Sequence, residues 1–160
     1  MVVRRGSTDV KDRIFAAIVY LMPLYSALPF GGDLFRQFPF LEIITVPLLP
    51  IAFIYQSIPL GGLLVFFILF AAVVRNEKIA HFIRFNTMQA ILVDIVLSLL
   101  SILFFQIIEP GVLPSLITNT VFNVIFTAVL ATCIYSIAQA ASGRYPEIPA
   151  ISEAVYTQVP

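Results

Sequence analysis

Apolar positions run along this chain in long, almost uncharged stretches, and the one interior break where charge is dense is Arg75–Ala90. The first stretch predicts a membrane helix from about Ile14 to Phe30, capped by Asp9, kinked at Pro23 and ended by Pro29-Phe30-Gly31-Gly32. It rises about 26 Å, close to the shortest length that crosses a hydrocarbon core of about 30 Å. Between Ile43 and Val74 there is no charge, yet Pro47, Pro50, Pro59, Gly61 and Gly62 forbid one straight helix. Phe38–Tyr55 is therefore expected to be an interfacial or re-entrant Pro-rich segment, with the second span from about Ile58 to Val74. A third span is expected to start at Asn86, with Gln89 completing a capping box, and to end at Glu109-Pro110-Gly111. The short link Pro110–Ser115 predicts an antiparallel hairpin with a fourth span, Thr118 to Ala141, that stops at Ser142-Gly143. The pattern thus predicts an all-α membrane protein with four transmembrane helices. Residues 1–142 form its single membrane domain, and 143–160 read as a flexible inner-side tail.

Composition makes the membrane reading firm. The 160 residues are 60% hydrophobic and 11% charged, against roughly 25% charged in soluble domains, and the mean hydropathy is +1.01. Net charge is zero, which gives no reason to expect nucleic acid as a partner. The distribution of charge is more informative. With four spans and both termini cytoplasmic or stromal, Arg4, Arg5, Lys11, Arg13, Arg75, Lys78, Arg84 and Arg144 lie inside and only Arg36 outside. An additional crossing at Phe38–Tyr55 would reverse Arg75, Lys78 and Arg84, against the positive-inside rule. Wound as a helix, Arg75–Ala90 puts Lys78, His81 and Arg84 on one face and Ile79, Phe82 and Ile83 on the other. Such a helix lies flat on a bilayer, and Arg75, Lys78, His81 and Arg84 make an inner-surface basic site for anionic lipids or an acidic partner.

Chemistry inside the membrane centres on Asp94, the one ionisable residue placed within a span. Thr87, Ala90, Asp94, Ser98 and Ser101 fall at helical spacing as a small and polar stripe. A matching row, Asn119, Asn123, Thr127, Ala131, Tyr135 and Gln139, runs along the fourth span. Packing of stripe against row would form the bundle core, and Asp94 either carries its proton or reaches water. One histidine, one cysteine on a different element and no HExxH, P-loop or GxSxG point away from an enzyme, a metal or a cofactor.

Particular residues resemble a known family. Arg13-Ile14-Phe15-Ala16-Ala17, Tyr20-Leu21-Met22-Pro23-Leu24, Phe38-Pro39 and Val74-Arg75-Asn76 lead to Ile79 and His81-Phe82-Ile83-Arg84-Phe85-Asn86-Thr87-Met88-Gln89-Ala90-Ile91-Leu92-Val93-Asp94-Ile95. This order resembles the twenty-kilodalton Tic family, the membrane subunit of the protein-import translocon of the chloroplast inner envelope, with cyanobacterial relatives. The resemblance covers about residues 12 to 142. It implies four helices with both termini stromal or cytoplasmic, a channel-forming or channel-associated role in moving preproteins together with other Tic subunits, and no catalytic residues. Other membrane subunits or a homo-oligomer, and unfolded preproteins, are the expected partners. The lack of a transit-type leader points to a cyanobacterial or plastid-encoded member. Two other readings remain open from the residues: a non-conducting assembly or scaffold subunit, and a small proton-coupled solute carrier working through Asp94.

Overall fold

A computed structural model describes residues 8–160; Arg4 and Arg5 lie outside them. The first membrane helix, Val10–Gln37, is built from pieces. Helix α1 (Val10–Ile18) starts where the Asp9 carboxylate accepts from the Val10 N–H at 2.7 Å. Helix α2 (Leu21–Ala27) restarts the chain so that Pro23 falls in a first turn, where no intrahelical donor is needed. Pro29 then tightens Leu28–Gly31 into a 3₁₀ turn before α3 (Gly32–Gln37).

The proline-rich stretch expected to be interfacial or re-entrant is helical. Pro39–Leu48 is a 3₁₀ helix that runs into α4 (Leu49–Ser57), with Pro50 in the first turn of α4. Together Pro39–Ser57 is the second of four helices, among the described residues, that are long and apolar enough to cross a membrane. The stretch predicted as the second span is shorter. Helix α5 (Gly61–Ile68) continues as a π-helical stretch, Leu69–Val74, and Gly61–Val74 rises only about 21 Å. Leu48 sits in one cluster with Leu24 and Cys133, while the Tyr55 ring packs edge-on against Tyr25 at 5.2 Å. Pro39–Ser57 therefore packs against the first helix around Leu24 and Tyr25. Leu60 takes φ +57° at the turn, and Gly61 is needed beside it because a Cβ would lie 2.8 Å from the Ile54 carbonyl. From there α5 descends along α6 until the Val74 carbonyl accepts from Arg84 Nε at 2.9 Å. The chain thus leaves the Arg36 end of the molecule and reaches the Arg13 end in two pieces.

The other two long helices are α6 (His81–Ile102, extended by a π-helical Leu103–Ile107) and α7 (Ser115–Ala141). Helix α6 begins five residues before its expected cap. Residues 75–80 turn instead of lying flat as a helix, so the expected surface helix Arg75–Ala90 is replaced by this turn and the opening turns of α6. Asn86 and Gln89 are interior residues of α6, for reasons given below.

The first helix is the centre of the bundle. Ala16 packs with Phe82 and Ala140, Val19 and Tyr20 with Ala90, and Ala27 and Phe30 with Val93, Leu97 and Phe126. Small residues at these contacts let backbones approach closely. Helices α6 and α7 lean on the first helix from two sides. They meet each other mainly through Phe104 and Phe105 against Phe122, with ring centroids 5.4 and 5.3 Å apart. The expected packed hairpin of third and fourth spans is therefore a wedge opened by the helix between them. Around the bundle, Phe40, Ile43, Phe53, Leu116, Val124 and many others are exposed, as expected where the solvent is lipid.

Residues 143–160, expected as a flexible tail, fold back. After Gly143 (φ +74°) the chain passes Tyr145 and a buried Pro146 and closes with α8 (Ile151–Gln158). Ser152, Val155 and Val159 are buried, the two valines in one cluster with Phe85, Met88 and Ile91 of α6. Apolar positions spaced four apart supply the burial that composition alone did not suggest.

Candidate functional site

The opening turns of α6 carry three of the buried polar side chains among the described residues. Asn86, Thr87 and Gln89 are fully buried, with Phe82, Phe85 and Met88 buried among them. Helix α2 brings Tyr20 against this face, and its hydroxyl donates to Asn86 Oδ1 at 2.9 Å while accepting from Gln89 Nε2 at 2.9 Å. Gln89 Nε2 also donates to the Pro146 carbonyl at 3.0 Å, and Ser152 Oγ donates to Gln89 Oε1 at 2.8 Å. Asn86 Nδ2 returns a bond to the Phe82 carbonyl at 2.8 Å. An amide pair with partners on three elements, satisfied inside a low-dielectric interior, fixes one arrangement of those elements. Asn86 is thus a bundle residue and not a cap, because its partner lies 66 residues away.

The basic residues divide. Arg75 and Lys78 are exposed on the turn before α6. His81 is half-buried, with Nδ1 3.0 Å from the Tyr145 hydroxyl and Nε2 3.0 Å from the Val159 carbonyl. Arg84 Nε is bound to the Val74 carbonyl. The cationic face expected from Lys78, His81 and Arg84 is not assembled, because the last two hold other segments of the chain.

Asp94 lies on the α6 side facing the first helix, with the Ser26 side chain beside its carboxyl and Oδ1 buried without a partner. The Tyr55 hydroxyl is likewise buried and unpartnered. Thr87 is buried, but Ser98 is exposed and Ser101 half-exposed, so the expected stripe does not continue as one wall. On α7, Asn123 Nδ2 donates to Asp33 Oδ2 of α3 at 2.9 Å, Asn119 is half-exposed and Thr127 is exposed. The stripe of α6 and the row of α7 do not meet, because the first helix stands between them.

In place of that contact there is an apolar groove of about 290 Å³. Val93, Leu97 and Leu100 of α6 face Val124, Ala128 and Thr132 of α7, and Ile148 and Ile151 of the C-terminal segment close one end. Pairing of α6 and α7 through apolar side chains alone would bring little gain over contact with lipid tails, so nothing draws the groove shut.

The chain matches the family model described as "Chloroplast import apparatus Tic20-like" over residues 9–155. The chain belongs to the Tic20 family. A Tic20 family protein of Synechocystis sp. is 46% identical over 96% of both chains. The Tic20 family protein Ycf60 of Porphyra purpurea is 36% identical, covering 96% of this chain and 80% of its own. Protein TIC 20-v, chloroplastic, of Arabidopsis thaliana is 30% identical over 96% of this chain and 73% of its own.

Within this Tic20 chain, the residues that carried the resemblance acquire a physical role. His81, Phe82, Phe85, Asn86, Met88 and Gln89 hold α6 to Tyr20, to Tyr145 and to the C-terminal segment. Sequence reasoning passed over Tyr20, Pro146 and Ser152. The signal available for the last was the run Ile151, Ser152, Val155, Val159, which lines one side of a short helix.

Proposed function

We propose that this chain is a non-catalytic membrane subunit lining the path of a protein-translocating assembly, with other subunits or further copies supplying the remaining walls. The side-open apolar groove between α6 and α7 carries this reading. A polypeptide passing beside it would find a wall and not a closed pipe, so the conduit is completed by neighbours. The relatives' membership of an import apparatus supplies the kind of cargo, an unfolded passenger protein. The surrounding bilayer is the second partner, with Arg75 and Lys78 placed to meet anionic headgroups. The Arg13 end is proposed as cytoplasmic or stromal. Lys11, Arg13, Arg75, Lys78, Arg84 and Arg144 gather there among the described residues, against Arg36 at the other end.

Purified chain in a planar bilayer tests the role, first alone and then with its co-purifying membrane subunits. The expected result is conductance that responds to an unfolded passenger protein. Current that follows a pH gradient and ignores the passenger would favour a carrier; no current in either preparation would favour a scaffold. Topology is tested with single cysteines at Lys78 and Arg36 in a Cys133→Ala background. An impermeant thiol reagent should reach them from opposite sides.

A further inference from the structure

We propose that the groove between α6 and α7 binds an apolar, helix-forming segment of a passenger protein, and that residues 145–160 are a resident stand-in that must leave first. This rests on the translocating role proposed above and names what the site takes.

The occupant is inferred from what already sits there. The chain's own C-terminal segment meets the Arg13 end of the groove at the entry to α8. Ile148 and Ile151 point into the groove lining, and Val155 and Val159 bury against α6. Beyond Ile151 the same apolar lining continues past the half-exposed Leu100 on α6 and the exposed Ala128 and Val124 on α7. An apolar helix laid along the groove would take the places of Ile148 and Ile151 and continue over this lining.

The hold on the stand-in is polar and local. Gln89 grips Ser152 and Pro146, and His81 grips Tyr145 and the Val159 carbonyl. Its tip is strained, since Ala150 sits at φ +65°, where a β-carbon is disfavoured. Its outward side is acidic. Glu147 and Glu153 are exposed, and the Tyr156 hydroxyl donates to Glu147 Oε1 at 2.7 Å. Gln89, which the segment reaches, lies about 12 Å along α6 from its start. Carboxylates exposed at that depth need water and not hydrocarbon beside them, so the segment has an aqueous side into which it can withdraw.

The test uses the full chain in phosphatidylcholine–phosphatidylglycerol vesicles, carrying Cys133→Ala and Ser152→Cys. A 20-residue Leu/Ala peptide with terminal lysines is the probe, and a Ser/Asp peptide of equal length is the control. The thiol at position 152 should react slowly with a maleimide alone and at least tenfold faster with the apolar peptide. A photoreactive residue at Ala128 should crosslink the apolar peptide, more so when Gln89→Leu loosens the hold. Labelling that the peptide leaves unchanged, or an Ala128 probe that captures only lipid, would overturn the proposal. Equal crosslinking with and without Gln89→Leu, the thiol staying shielded, would overturn the stand-in. Should any of these occur while passenger-dependent conductance persists, this inference falls and the translocating role stands.

Discussion

Gln89→Leu is the most informative single perturbation of the bundle. Leucine has nearly the volume of glutamine, so the change removes polarity without opening a cavity. Three bonds are lost: to the Tyr20 hydroxyl, to the Pro146 carbonyl and from Ser152 Oγ. Interhelical hydrogen bonds in membrane bundles average about 0.6 kcal/mol each, which gives about 2 kcal/mol for the set. Tyr20 keeps Asn86, and Ser152 keeps the Ile148 N–H. The Pro146 carbonyl keeps only a long contact with Ser152 at 3.4 Å. A buried acceptor left nearly unmade adds about 1–2 kcal/mol. The expected loss is therefore about 3 kcal/mol, roughly a hundredfold in the unfolding equilibrium. Reversible unfolding in mixed micelles of rising SDS fraction, followed by circular dichroism, measures it. Tyr20→Phe should cost about 1 kcal/mol alone, and the double change less than the sum, because the two share one bond. A loss below about 0.5 kcal/mol for Gln89→Leu would refute the network as what fixes the first helix, α6 and the C-terminal segment together.

Three further changes test other parts of the structure. Asp94→Asn should fold as the wild type and alter passenger-dependent conductance; unchanged conductance would leave Asp94 as a packing partner of Ser26. Gly61→Ala should lower thermal stability by about 1–3 kcal/mol, because the new Cβ meets the Ile54 carbonyl at 2.8 Å, whereas Gly32→Ala, with nothing within 4 Å, should be neutral in the same melt. Arg75→Gln with Lys78→Gln should reduce the phosphatidylglycerol retained in detergent several-fold, at about 1 kcal/mol per cation. His81→Gln should leave that lipid count unchanged, since His81 is engaged within the chain.

Three of the four long apolar helices were legible as runs, because a bilayer imposes a length that sequence must match. What the runs do not encode is which helix stands between which. Thr87 and Asp94 on α6, and Asn123 on α7, suggested two polar faces made for each other. In the structure Asn123 turns to Asp33, Asp94 turns to Ser26 and Thr87 is buried, because the first helix is interposed. Local chemistry misled in the same way at Asn86. Asn followed by Gln three residues on is a helix-start signature, but a tyrosine 66 residues earlier claims both side chains. The tail was misread on composition, where three prolines outweighed an i, i+4 valine pattern. The helical form of Pro39–Ser57 was not legible for a related reason: its prolines fall in a 3₁₀ stretch and a first turn, which tolerate them.

The two-piece passage from Pro39 to Val74 has a consequence for biogenesis. Gly61–Val74 is too short to hold itself across a bilayer, and its Val65, Phe66, Leu69 and Phe70 pack against a cluster supplied largely by Phe85, Met88, Ile91, Val155 and Val159. Those residues leave the ribosome later. The passage therefore becomes fixed only after α6 has been made, and with Cys133→Ala and Val65→Cys a nascent chain halted before His81 should still react with a membrane-permeant thiol probe that the finished protein excludes.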